Sequence, residues 1–318
     1  MMQRRFIPLI LLATAATPVP QVQHVPGYGD FLVVDGATVW MTNTGRVEQW
    51  SRNGKLASVA LPGPCGAMAI SSGGLWVADC KQGAIHRVDT RTARRTATIA
   101  TGIADPTGEL NVVAGAGSIW VASDASGVVT RLAAASGRIQ ARITVAAGTS
   151  YLAFGHGALW AVSGAGAVLQ RIDPRRNVVT QRTALGRQPG FLAAGEGAVW
   201  VQEQGDGTLA RIDPGNGAVT GRVKVGANLK WGDIDTGSGR VWLRTTDDQE
   251  FVVVDARALA VTARLGKPVG SGALRFTRRG VWTSAHDVHT LSWWPMKRPS
   301  RARSSSRSAA SPGTASVP

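Results

Sequence analysis

Cysteine is nearly absent: there are two in 318 residues, too few for a disulfide-built miniprotein or a four-cysteine zinc module. Long apolar runs are missing too. The longest, near residues 6–16, falls well short of the ~20 residues that a membrane-spanning helix needs. Acidic residues are missing from both ends. Residues 1–20 carry Arg4 and Arg5, residues 297–318 carry Lys297, Arg298, Arg301, Arg303 and Arg307, and neither stretch holds an Asp or Glu. Without those seven charges the net +15 falls to +8 over residues 21–296. No basic helix or aromatic–basic stripe accompanies that remainder, so specific nucleic-acid binding is not expected. A Ser-His-Asp arrangement, a P-loop and a GxGxxG after a strand are absent as well.

The two ends read as processing and tail segments. Met1–Arg5 is a short basic stretch, Phe6–Ala16 an apolar one, and Ala13-Thr14-Ala15 supplies small residues where a signal peptidase would cut. Residues 1–16 are therefore expected to be a secretory signal, with the mature chain periplasmic or secreted, where disulfides persist. No cysteine follows the apolar stretch, so no lipoprotein anchor is expected. Residues 297–318, rich in Ser, Arg, Ala and Pro, bury too little to repay their ordering entropy and are expected to form a disordered basic tail.

What fills the chain is a repeat. Trp40, Trp76, Trp120, Trp160, Trp200, Trp242 and Trp282 recur at intervals of 36, 44, 40, 40, 42 and 40 residues, each with Gly a few residues earlier. An Arg-x-Asp module follows some eleven residues on: Arg87-Val-Asp89, Arg171-Ile-Asp173, Arg211-Ile-Asp213. The fifth unit reads as four strands, at 190–194, 198–202, 208–212 and 219–225, each rich in Val, Ile and Leu and bounded by Gly, Pro, Asn or Asp. Seven four-stranded units of this period predict an all-β chain, a single seven-bladed β-propeller over residues 21–296. The pairs Ser72-Gly73, Ala116-Gly117, His156-Gly157, Glu196-Gly197 and Ser238-Gly239 suit tight two-residue hairpin turns. Residues 21–40 align without a gap on 57–76. Val22–Val25 is thus a fourth strand lacking the three before it, expected to complete the last blade near 288–293 and close the ring.

These tryptophans are not followed by the Asp of WD repeats. The pattern Gly-x-x-Trp-Val…Arg-Ile-Asp-Pro resembles the YVTN-type and virginiamycin B (streptogramin) lyase-like propellers, over residues 21–296. The resemblance implies structural roles for the shared residues: Trp between blades, Gly in turns, Arg and Asp paired at the blade surface. Its enzymatic branch opens a lactone C–O bond with a magnesium ion, two histidines near the starts of the first strands of blades six and seven, and a glutamate near the end of the second strand of blade seven. The matching positions are Trp231, Ser271 or Gly272, and His286, so neither histidine is kept and an imidazole stands in place of the carboxylate.

Centring each hairpin turn pairs the residue eleven before each Trp with the residue four after it. One row reads Gly29, Cys65, Glu109, Thr149, Pro189, Trp231, Ser271; the other reads Thr44, Cys80, Asp124, Gly164, Gln204, Thr246, His286. Cys65 and Cys80 then oppose each other within disulfide reach. Glu109 and Asp124 oppose each other as a carboxylate pair that could hold Mg²⁺ or Ca²⁺, or exchange a proton. Trp231 packs between blades or, with His286, joins that pair at the channel mouth to bind a polar ligand with a ring or a cation. His286-Asp287 reads as a loop cap or a catalytic dyad; His24, His86, His156 and His289 read as structural or solvated. The expected protein is a monomeric extracytoplasmic scaffold that binds a small molecule or protein at the mouth. The rival is a metal-dependent lyase with a site relocated around Glu109 and Asp124.

Overall fold

The computed structural model describes residues 18–102, 109–123 and 127–296. The expected signal segment, the basic tail and Asp124 lie outside the described residues. Within them, twenty-eight strands form seven four-stranded antiparallel sheets, six of them meanders of consecutive strands. Blade five runs Pro189–Gly195, Ala198–Glu203, Thr208–Ile212 and Val219–Lys224, from the channel outward. In blade seven, Leu274–Thr277, Gly280–Ala285 and Thr290–Pro295 are joined by Gln21–His24 as the outermost strand, with Gln21 opposite Trp293 and His24 opposite Thr290. Val25 N–H adds a bond of 2.8 Å to the His289 carbonyl. The first strand of the chain thus covers the edge of the last blade.

The repeated tryptophans sit in the second strands and are fully buried. Each cluster of the core spans two blades: Trp76 packs with Val112, Ile119 and Val121 of the next blade, and Trp200 with Ile234, Val241 and Leu243. Burying an indole strands its N–H unless an acceptor is at hand. The same acceptor recurs, the carbonyl five residues earlier: Gly115 for Trp120 and Gly155 for Trp160, both at 3.1 Å, and Gly195 for Trp200 at 3.0 Å. The turn just after that carbonyl has both central residues at positive φ, 51° and 68° at Ser72 and Gly73, 50° and 79° at Glu196 and Gly197. That is the primed turn that matches strand twist.

Two expectations need correction. Arg and Asp of the repeat do not pair with each other. Arg87 and Arg171 lie over Trp76 and Trp160, at 5.6 and 5.9 Å from the ring centroids, because the ladder sets each directly opposite its tryptophan. Asp89 and Asp173 end their strands, Asp213 directly follows its own, and all three accept backbone N–H groups of the turn that follows, such as Thr92 and Gly215, each at 2.7 Å. The hairpin register is also not uniform. Thr149 pairs with Ser163, Pro189 with Glu203 and Cys65 with Ala78, because β-bulges interrupt the innermost strands near the mouth. Cys65 and Cys80 are nonetheless disulfide-bonded, with Cα atoms 5.9 Å apart.

Candidate functional site at the channel mouth

In each meander the first and third turns lie at one end of the blade, and the second turn and the link to the next blade at the other. The second end carries a cavity of about 600 Å³, lined by Tyr28, Asp30, Glu109, Trp231, Ser271 and His286, among others. The inner strands continue it into a channel past Asn111, Tyr151 and Phe191. Glu109, Trp231, Ser271, Gln204 and His286, all from the two sequence rows, thus line one cavity. Ten of the eleven tryptophans are at most 5% exposed, whereas Trp231 is 71% exposed and stands clear of the inter-blade packing. Ser271 Oγ donates to the Trp231 carbonyl at 3.0 Å, tying together the two links that border blade six.

His286 directly follows the second strand of blade seven and starts a short 3-10 turn, His286–Val288. Its ring stacks on Tyr28, with centroids 4.0 Å apart and planes 21° apart, and Nε2 lies 2.8 Å from the Tyr28 hydroxyl. Nε2 is also 3.2 Å from Asp287 Oδ1, and Nδ1 is 3.4 Å from Asp30 Oδ1. Burial alone would favour the neutral ring, but Asp30, Asp287 and Glu109 outweigh it and raise the imidazole pKa. Burial, then the charges of Asp30, Asp287 and Glu109, push the Tyr28 phenol up to about 12; burial and Glu109 do the same for Tyr151. Asp287 also binds the backbone, through an Oδ2 that accepts the Ser271 N–H at 2.6 Å. One carboxyl group therefore both touches the histidine and caps the neighbouring link.

Tyr28 and Asp30 were not among the sequence candidates, although they flank Gly29, the position read for blade one. The offset turn of that blade hid them. A second omission lies deeper in the channel. Asp233 and Asp235, on the inner strand of blade six, accept Leu274 N–H at 3.0 Å and Phe276 N–H at 2.9 Å from the inner strand of blade seven. Arg275 forms an ion pair with Asp233. Burial raises both aspartate pKa values, with Arg275 opposing it. Asp233, Ile234 and Asp235 follow an alternating strand pattern, but only the closed ring shows that the carboxyl groups face the next blade.

Among the described residues, no three His, Cys, Asp or Glu side chains are placed to hold a metal ion. No described helix is long and apolar enough to cross a membrane.

No protein-family model matches the chain, and no curated protein matches it. Solved structures do. Virginiamycin B lyase from Staphylococcus aureus superposes with a TM-score of 0.74 at 17% identity, covering 88% of this chain and 99% of that one. A streptogramin B lyase gives 0.73 at 15%, covering 86% and 97%. A chain of a mitotic checkpoint complex gives 0.74 at 14%, covering 93% and 100%. At these identities the likeness is one of fold alone, a seven-bladed β-propeller.

Proposed function

We propose that the protein is an extracytoplasmic, monomeric binding propeller whose mouth takes a small polar molecule bearing a planar ring. The observation that carries this is the exposed indole of Trp231 in a wall shared with Tyr28, Glu109 and His286, around a cavity of about 600 Å³. That volume suits a small-molecule ligand, and the wall pairs aromatic faces with a few convergent polar groups. The Cys65–Cys80 disulfide supports an oxidising compartment. The test is a thermal-shift screen of ring-bearing metabolites against the mature chain and its Trp231→Ala variant. Ligands that raise the melting temperature of the parent alone support the reading; a screen in which parent and variant respond identically overturns it.

A second reading, a metal-dependent carbon–oxygen lyase, is supported by the fold of the two lyases and by the convergence of Trp231, Ser271, Gly272 and His286 on one cavity. The chemistry at those positions differs, since neither an indole nor a serine hydroxyl is a general base at neutral pH. Activity would rest on Glu109 and Asp124, one carboxylate holding a cation and the other taking the proton. Turnover of a streptogramin-type depsipeptide with Mg²⁺ that is lost in Glu109→Ala and kept in His286→Ala would establish this reading.

A further inference from the structure

The charge of the mouth runs against that of the chain. In a protein of net charge +15, the cavity is lined by the carboxyl groups of Asp30, Glu109 and Asp287, and among the described residues no lysine or arginine lines it. The one basic group of the lining, His286, is buried behind Tyr28 and lies against Asp30 and Asp287, which leaves the mouth with an excess of carboxyl groups. The aromatic groups form a second feature independent of the acids: Tyr28, Phe31, Tyr151, Phe191 and the exposed Trp231. Tyr151 and Phe191 lie 4.5 Å apart by centroid, and Phe31 and Phe191 6.3 Å, so the rings of three blades meet at the channel entrance.

We propose that the mouth recognises an organic cation, a quaternary ammonium or protonated-amine group of a small molecule, held by the aromatic faces and the three carboxyl groups together. This rests on the reading of the mouth as a ligand site and specifies the ligand's charge. Aromatic faces attract diffuse cations electrostatically, with Trp the strongest, and carboxyl groups add a longer-range attraction. A hard divalent ion fits less well. It seeks six or more oxygen ligands, whereas here much of the wall is apolar ring and no described trio of ligating side chains is present. An anion would meet carboxyl groups with no arginine to pair with.

The experiment is calorimetric titration of the mature chain, with EDTA present, using choline and its neutral isostere 3,3-dimethylbutan-1-ol. The two differ in charge and scarcely in shape. Choline should bind about tenfold more tightly than the alcohol, the size of effect expected for a desolvated cation on aromatic faces. Trp231→Ala, at an exposed position, should weaken choline several-fold and leave the melting temperature unchanged, and Glu109→Gln should weaken it several-fold as well. Equal affinity for the two probes, or preference for an anion such as benzoate, overturns the proposal while leaving the ligand site intact. Binding of neutral ring compounds with no response to choline does the same. If no probe binds and the metabolite screen is also blank, the ligand-site reading falls with it.

Discussion

Tyr28 and His286 stack with ring centroids 4.0 Å apart although 258 residues separate them in the chain. Tyr28 leads from the closing strand into blade one, and His286 directly follows the second strand of blade seven. The seam of the ring is therefore also a wall of the mouth, and disturbing one disturbs the other.

Removing residues 17–26 should show this. It would strip the outer strand from blade seven and expose a row of unpaired backbone groups on Thr290–Pro295. We expect a loss of several kcal/mol, a fall on the order of 10 °C in melting temperature for a domain of this size, and concentration-dependent aggregation. Calorimetry and light scattering check both. A deletion variant as stable and monomeric as the parent would contradict closure by this strand.

Two tryptophans should respond oppositely to truncation. Trp160 is 1% exposed and packs in the core between blades, so Trp160→Ala should cost about 3–5 kcal/mol. Trp231→Ala should stay within about 0.5 kcal/mol of the parent, since its indole is 71% exposed. Denaturant titration of the two variants separates them.

The disulfide should appear as a mass about 2 Da below that of the reduced chain in non-reducing mass spectrometry of protein exported to an oxidising compartment. Its loop has a sequence separation of 15 residues, for which chain entropy gives about 3 kcal/mol. The sheet already holds both strands, so the double variant Cys65→Ala/Cys80→Ala should lose less than that. Two free thiols in the exported protein would refute the bridge.

Stability should depend on pH through His286. Asp30 and Asp287 face its ring nitrogens, Glu109 acts from the cavity, Tyr28 covers one face, and the net effect raises its pKa above 6.5. A raised folded-state pKa means that protonation favours the fold. The contribution is complete below the unfolded value near 6.5 and is lost as pH rises through the higher folded value. His286→Gln should therefore flatten the melting-temperature profile in that window. A profile identical to the parent's would show that the imidazole contributes nothing there.

Lyase turnover should be poor. Loss of a general base alone lowers rates by on the order of 10²–10⁴, and here Trp231 and Ser271 or Gly272 stand at the two histidine positions that the resemblance points to. Mass spectrometry of a streptogramin-type depsipeptide incubated with the protein and Mg²⁺ reads ring opening directly. Turnover near that of an authentic lyase would mean that another group at this mouth serves as a competent base.

Local order was legible along the chain because propeller blades are built from near neighbours. The Trp interval set the number of blades, the X-Gly pairs set the primed turns, and the repeat of 21–40 in 57–76 showed which strand was missing its partners. Cys65 and Cys80 could be paired from their places on opposite arms of one hairpin although the exact register differed, since a hairpin tolerates a bulge without separating them beyond disulfide reach. The mouth was legible only in part. Glu109, Trp231, Ser271 and His286 were found because they recur at fixed offsets from a tryptophan. Tyr28 and Asp30 were not, because the turn of blade one is displaced. The Arg-x-Asp module shows the limit from another side: its spacing suggested an ion pair, but the cross-strand register sets the guanidinium on an indole and leaves the carboxylate to the turn. Sequence by itself determined the blade and its turns, which depend on contacts within about forty residues, and also the order of closure, which the repeat of 21–40 in 57–76 betrays although Gln21–His24 pairs with the far end of the chain. Tertiary structure alone decided which side chains share the mouth and that its lining is acidic and aromatic. Those groups come from separate blades, and their convergence depends on the ring being closed.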